Sequence, residues 1–198
     1  MAEAVYIIDT GVANIASLLA AFVRLGRPAA LTDSAVQVGS ARHLVLPGVG
    51  AFAAGMDKLQ RAGLVAPLRQ RLAEGAPTLA VCLGLQLLCE SSAESPGVEG
   101  LGVVPAAVTR FGEDVRVPQF GWNEVTPAAG ATLLEPGFAY FANSYRVAAL
   151  PAGWTGATAD HGGPFVAALE RGGLLGCQFH PELSGRWGEA LLARWLAR

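Results

Sequence analysis

Thr78-Leu79-Ala80-Val81-Cys82-Leu83-Gly84-Leu85-Gln86 is the stretch on which the reading of this 198-residue chain turns. The apolar run Thr78 to Val81 predicts a strand buried on both faces, and the apolar segment after Cys82 predicts a helix. A sharp strand-to-helix turn between them exposes one reactive side chain at the carboxyl edge of a sheet, with small residues nearby to avoid clashes: the setting of a nucleophile elbow. At a helix N-terminus, unpaired amides and the helix dipole favour an anion, so Cys82 is placed to react as a thiolate. The plain alternative is a buried cysteine acting as a small apolar residue.

The same rhythm repeats on either side. Val5 to Ile8 reads as a strand. Ile15, Leu18, Leu19, Phe22 and Val23 then recur as one apolar helix face, closed by Gly26 and Pro28. His43 to Leu46 is another strand candidate, also followed by Gly and a helical segment. Beyond residue 100 the pattern changes to strand-like runs between Pro and Gly turns: Val103 to Phe111, Val115 to Phe120, Phe138 to Phe141, Thr155 to Asp160, Phe165 to Leu169 and Leu174 to Phe179. Trp187, Leu191, Leu192 and Trp195 return to helical spacing. The prediction is an α/β, doubly wound, mostly parallel sheet flanked by helices, with additional antiparallel strands in the second half, all in one domain over residues 1–198. The polar stretch Glu90 to Gly100 reads as a loop.

Composition narrows the function classes. Apolar residues make up 52% of the chain and charged residues 15%, which excludes a disordered chain. A net charge of −2, a single lysine at Lys58 and scattered arginines argue against a nucleic-acid footprint. No apolar run approaches the length of a membrane span, and no signal peptide is visible. Cys82, Cys89 and Cys177 form an odd set. If Cys89 lies two turns along the helix that Cys82 opens, the two are too far apart to bridge, so reduced thiols and a cytoplasmic location are expected. Cysteines and histidines lack paired ligand spacing, so neither a metal nor a cofactor is expected.

His180-Pro181-Glu182 supplies a second element. In extended chain, residues two apart point the same way, so His180 and Glu182 can lie side by side. A carboxylate on one ring nitrogen leaves the other to take a proton from a thiol. His180 closes the run Leu174 to Phe179, so it too falls at a strand's carboxyl end. A surface His-Pro-Glu turn is the alternative. His43 starts a strand, the wrong end for a site, and His161 lies in a Gly-rich turn without an adjacent acid. The third element is Pro47-Gly48-Val49-Gly50-Ala51-Phe52, whose glycines let backbone amides approach a ligand oxygen, as an oxyanion hole demands. The Gly-Lys-Ser/Thr ending of a phosphate-binding loop is absent.

In this order, Pro-Gly-Val-Gly, Cys-Leu-Gly-Leu-Gln and Phe-His-Pro-Glu resemble the class I glutamine amidotransferases, whose fold is flavodoxin-like. The chain more narrowly resembles the glutaminase subunits of imidazole glycerol phosphate synthase, of histidine biosynthesis. That likeness rests on Asp9-Thr10-Gly11 leading to Asn14, Pro118-Gln119-Phe120-Gly121-Trp122-Asn123, Tyr140-Phe141-Ala142-Asn143-Ser144-Tyr145-Arg146 and Pro181-Glu182-Leu183-Ser184-Gly185. The resemblance implies a Cys82, His180 and Glu182 triad, an oxyanion hole from the backbone of Leu83, Val49 and Gly50, and glutamine held by Gln86, Glu94, Ser144 and Tyr145. It also implies a heterodimer with a (β/α)8-barrel cyclase that receives the ammonia, with Asn14, Trp122 and Tyr140 towards that partner. Two positions depart from the pattern: Leu183 stands where relatives often carry a basic residue, and Ala80 replaces a glycine common two residues before the nucleophile. The glutaminase of another synthase, or a catalytically silent flavodoxin-like binding module, are the rival readings.

Overall fold

The computed structural model describes residues 3–9 and 15–198. Five strands build the parallel part of the main sheet: β1 (Val5–Ile8), β2 (Ala29–Thr32), β3 (His43–Leu46), β4 (Thr78–Val81) and β12 (Leu174–Cys177). Four more continue it antiparallel: β7 (Gln119–Pro127), β8 (Gly137–Asn143), β10 (Thr155–Asp160) and β11 (Pro164–Arg171). The order across the sheet is β2-β1-β3-β4-β12-β11-β10-β7-β8. A smaller sheet holds β5 (Cys89–Ser92), β6 (Val104–Arg110) and β9 (Tyr145–Val147), in the order β5-β6-β9.

Strand alternation sorts the core into two layers. Val5, Ile7, Val45, Leu79, Val81, Leu175 and Cys177 face α1 (Ile15–Arg24) and α6 (Gly185–Leu196). Ile8, Leu44, Leu46, Ala80 and Leu174 face the opposite layer, which holds α2 (Ala35–Ser40), α3 (Phe52–Arg61), α4 (Val65–Ala73) and α5 (Leu83–Leu87). Both faces are therefore covered, which is why β3 and β4 are buried along their whole length. The predicted doubly wound architecture with antiparallel additions is the one found.

At the C-terminus of α1 the chain closes as expected. Gly26, at φ 67°, donates to the Val23 carbonyl while Arg27 donates to that of Phe22. The buried face is rotated from the predicted one, however. Leu18, Ala21 and Phe22 are buried, whereas Val23 is 68% exposed, because at about 100° per residue it lies well round the helix from Leu18.

Three further expectations are corrected. Val115 to Pro118 is irregular, and pairing with β8 begins only at Gln119, because Pro118 has no N–H to give a ladder. The polar stretch from Glu90 is not all loop, since Cys89–Ser92 forms β5 against β6 through backbone bonds that side-chain polarity does not reveal. Nor does Cys89 lie on the helix that follows Cys82. That helix stops at Leu87, where the amides of Leu101 and Val103 take the carbonyls of Leu87 and Leu88. All three cysteines are free.

One polar group is built into the core beneath this framework. Arg71, on α4, is fully buried and donates to Thr78 Oγ1 and to the carbonyls of Val38, Gly39, Ala41, Arg42 and Pro77, at 2.6 to 3.4 Å. It ties α2, the chain entering β3 and the chain entering β4 to α4.

Candidate active site

Because β4 and β12 are parallel neighbours, their carboxyl ends share one edge of the sheet, and the chain leaves both towards the same place. Cys82 follows β4. Its amide donates to the carbonyl of Cys177 at 2.7 Å, so the elbow is pinned to the end of β12. Its backbone sits at φ 53°, ψ −110°; among the described residues it is the one non-glycine with positive φ. A conformation of that kind costs about 1–3 kcal/mol and persists only where the surroundings impose it. The surroundings here are tight: a Cβ on Gly84 would stand 2.0 Å from the carbonyl oxygen of Leu46, so only glycine lets the elbow pack on the end of β3. The methyl of Ala80 is accommodated within the buried strand.

His180 and Glu182 do meet, but not on extended chain. Pro181–Leu183 forms a 3-10 turn, with His180 just before it, and the turn carries Glu182 back beneath the ring. His180 Nδ1 and Glu182 Oε1 are 2.9 Å apart, both side chains buried. Ser184 locks the turn: its hydroxyl donates to the His180 carbonyl at 2.6 Å and accepts from the Tyr140 amide at 3.0 Å. The His180 amide donates to the Tyr140 carbonyl at 2.9 Å, so β8 holds the histidine backbone from both sides.

The ring of His180 stands beside the Cys82 side chain, both lining one cavity. Burial works against the imidazolium, yet the neighbouring Cys82 side chain and the hydrogen-bonded Glu182 carboxylate outweigh it and push the His180 pKa up to about 10. A raised pKa favours the protonated form in the folded state. Its contribution to stability is therefore complete below the ordinary histidine value of about 6.5 and is lost as pH rises through about 10. The excess in melting temperature of the parent protein over a Glu182→Gln variant should be greatest at about pH 6.5 and just below, and should shrink away as pH rises through about 10. Cys89 and Cys177 are instead held in their neutral forms. Burial, with Glu90 nearby, raises the Cys89 thiol to about 12, and burial with Glu182 and Glu170 raises that of Cys177.

A cavity of about 230 Å³ opens over the sulfur, lined by Val49, Gly50, Cys82, Leu83, Gln86, Glu94, Ala142, Asn143, Ser144, Tyr145 and His180. Every residue that the sequence nominated for the nucleophile, its imidazole, the oxyanion hole and the substrate is in that lining, apart from Glu182 behind the ring. Their hydrogen bonds refine the expectation. The Leu83 amide donates to the Gly48 carbonyl at 3.3 Å. Both protons of the Gln86 side-chain amide are used, on the Tyr145 carbonyl at 3.2 Å and on Gln178 Oε1 at 3.0 Å, which leaves its oxygen to face a ligand. Glu94 Oε2 accepts from the Phe52 amide at 2.7 Å and Ser95 Oγ from that of Ala53 at 3.2 Å. The remote Glu94-Ser95 pair thus caps α3, whose own N-cap residue, Ala51, has no polar side chain.

The residues assigned to a partner divide. Asn14 lies outside the described residues, as does most of the Asp9-Thr10-Gly11 segment. Trp122 is 58% exposed rather than packed in the core, and it meets the Tyr140 ring edge-on with centroids 6.2 Å apart. Phe120, 72% exposed, and Phe138, 58% exposed, extend the same aromatic face. Sequence reasoning missed both, although alternation puts Phe120 with Trp122 on β7 and Phe138 with Tyr140 on β8. Ala142, which lines the cavity, follows Tyr140 on that face of β8. His43 and His161 are elsewhere, the first buried against Trp195 and the second bonded to the Arg116 carbonyl at 2.8 Å. Among the described residues no His, Cys, Asp and Glu side chains cluster so as to hold a metal, and no helix is long and apolar enough to cross a membrane.

Comparison with known proteins gives the chain a family. The chain is 42% identical over 195 residues to imidazole glycerol phosphate synthase subunit HisH of Symbiobacterium thermophilum, covering 96% of this chain and 92% of the relative. It is 39% identical to the HisH subunit of Deinococcus radiodurans over 200 residues, covering 98% and 93%. Among solved structures, a glutamine amidotransferase superposes with a TM-score of 0.76 at 22% identity, over 97% of this chain and 96% of that one. PurLQS from Thermotoga maritima superposes with a TM-score of 0.73 at 14% identity, over 100% and 99%; at such identities the likeness is one of fold. The profile of the family described as glutamine amidotransferase class-I matches residues 6–197. An elbow cysteine facing a histidine–glutamate pair, found in a chain that this profile spans almost end to end, leads to one assignment: the chain belongs to the class I glutamine amidotransferases.

Proposed function

We propose that this amidotransferase is the cytoplasmic glutaminase subunit of an imidazole glycerol phosphate synthase. Residues 1–198 would work as one domain in a heterodimer with a (β/α)8-barrel cyclase. The observation that carries the catalytic part is Cys82, its backbone held at positive φ and its side chain sharing an amino-acid-sized cavity with His180, which is paired with the buried Glu182. The identity to HisH subunits supports the choice of synthase.

In this reading the Cys82 thiolate attacks the side-chain amide carbon of glutamine, and the carbonyl oxygen becomes an anion held by backbone amides of Leu83 and the Val49–Gly50 segment. The His180 imidazolium gives its proton to the nitrogen as the C–N bond breaks, releasing ammonia and leaving a glutamyl thioester. Water then attacks with His180 as base, the C–S bond breaks, and glutamate leaves with the thiolate restored. Glu182 holds the ring throughout. Glu94 and the free oxygen of Gln86 suit the α-ammonium group, and Ser144 with Tyr145 completes the grip on the amino acid. The cyclase uses the ammonia to form imidazole glycerol phosphate and aminoimidazole carboxamide ribotide.

Because the Leu83 amide is engaged by the Gly48 carbonyl, the oxyanion site is incomplete as it stands. Docking of the cyclase on the aromatic face and the Val49–Gly50 loop would turn the Gly48–Val49 peptide and free that amide, so the subunit alone should be nearly idle. The test is hydrolysis of glutamine by the chain alone and with the cyclase. A cyclase that co-purifies and raises the rate by about 100-fold or more, as recovery of an oxyanion donor implies, supports the assignment. A chain that is fully active alone, or that ignores the cyclase, refutes it.

A further inference from the structure

Gln178 is the polar residue in the run that ends at His180. It is fully buried, and its amide proton is fixed on the Ala167 carbonyl at 2.8 Å. Its side-chain nitrogen lies 3.7 Å from Cys82 Sγ, and its oxygen accepts from Gln86 Nε2 at 3.0 Å. The polarity of this chain of amides is not free to reverse. The Tyr145 carbonyl, which can only accept, faces Gln86 at 3.2 Å and Asn143 Nδ2 at 3.0 Å, so the end of Gln86 turned to it must be the NH2 group. The second proton of that group points at Gln178, which must answer with its oxygen. The Gln178 NH2 is then left to face the sulfur.

A buried donor aimed at sulfur discriminates between its two forms. A neutral thiol accepts weakly, whereas a thiolate gains a charge-assisted bond from a donor that is itself fully buried. We propose that Gln178, oriented by Gln86 against the Tyr145 carbonyl, donates a hydrogen bond to Cys82 that holds the sulfur as the attacking thiolate. This rests on the reading of Cys82 as the nucleophile. The ionisable groups around the sulfur are His180, with Glu182 behind it, Glu94 and Tyr145 in the cavity lining, and the buried Cys177 thiol on β12. Gln178 adds a neutral donor on the β12 side. Gln86 thereby acquires a second role, as a positioning residue for Gln178 beside its place in the substrate cavity.

The test is alkylation of the full-length chain by iodoacetamide, read at the Cys82 peptide by mass and followed from neutral to alkaline pH. In Gln178→Met, which keeps the volume and removes the donor, the neutral rate should fall about tenfold, the lower end for a hydrogen bond to a charged group. The rate should be regained in alkali, where the sulfur ionises without help. In complex with the cyclase, kcat for glutamine should fall with KM unchanged, because Gln178 lies behind the cavity wall. Gln86→Met, which leaves the Gln178 amide free to turn over, should give a smaller fall in the same direction. Parent-like alkylation at neutral pH in folded Gln178→Met overturns the proposal; should that variant not fold, parent-like alkylation in Gln86→Met does so. If the parent protein shows no preference for Cys82 over Cys89 and Cys177, it is the nucleophile assignment that fails instead.

Discussion

Cys82→Ala is expected to lower glutamine hydrolysis by roughly 10⁴-fold or more, the scale seen when a covalent nucleophile is removed. Ammonium-driven synthesis by the cyclase complex should continue at the parent rate. The two activities should separate because, in the proposed mechanism, the sulfur takes part only in releasing ammonia from glutamine. Folding should be little affected. The substitution removes one largely buried sulfur, about 1 kcal/mol, and leaves the backbone contacts of the elbow in place, including the Cys82 amide on the Cys177 carbonyl and Gly84 against Leu46. Alanine at φ 53° carries the same backbone strain as cysteine, so no stability is gained to confuse the comparison. Loss of both activities together would make Cys82 a structural residue.

Arg71→Met should be strongly destabilising, by about 3 kcal/mol or more, because several acceptors lose one buried donor group together. Methionine fills much of the space but donates nothing, so the carbonyls of Val38, Gly39, Ala41, Arg42 and Pro77 lose a buried partner at once. Arg71→Lys should remain costly, because an ammonium offers three donors where the guanidinium fork reaches six acceptors. Against a total stability of about 5–15 kcal/mol for a domain, the methionine variant would unfold at a much lower urea midpoint with its m-value unchanged. A midpoint within experimental error of the parent would show that this network is not needed for folding.

The site was more legible in the sequence than the path by which the chain builds it. Cys82 and His180 each follow an apolar run, Gly48 and Gly50 follow another, and strand ends on one sheet edge bring such positions together. The parallel strands were readable for the same reason: β3 and β4 are buried on both faces and so appear as unbroken apolar runs. What escaped was set by backbone bonding between distant segments. The strand β5 has a polar sequence and exists because β6 offers it a ladder, and α5 ends where residues 101–104 claim its carbonyls. The pairing of His180 with Glu182 was foreseen and its geometry was not, because a 3-10 turn locked by Ser184 achieves what extended chain was expected to do. Gln178 also passed unnoticed: its meaning lies in contacts with Gln86 and Cys82, 92 and 96 residues away.

The central claim is that glutamine is attacked by the sulfur of residue 82. Mass analysis after treatment with a glutamine-derived chloroketone reads this directly, since the reagent binds as the substrate does and traps the sulfur that reaches it. One adduct per chain, on the Cys82 peptide and suppressed by excess glutamine, is the predicted result. No adduct at Cys82, or adducts on Cys89 and Cys177 that glutamine does not suppress, would contradict it.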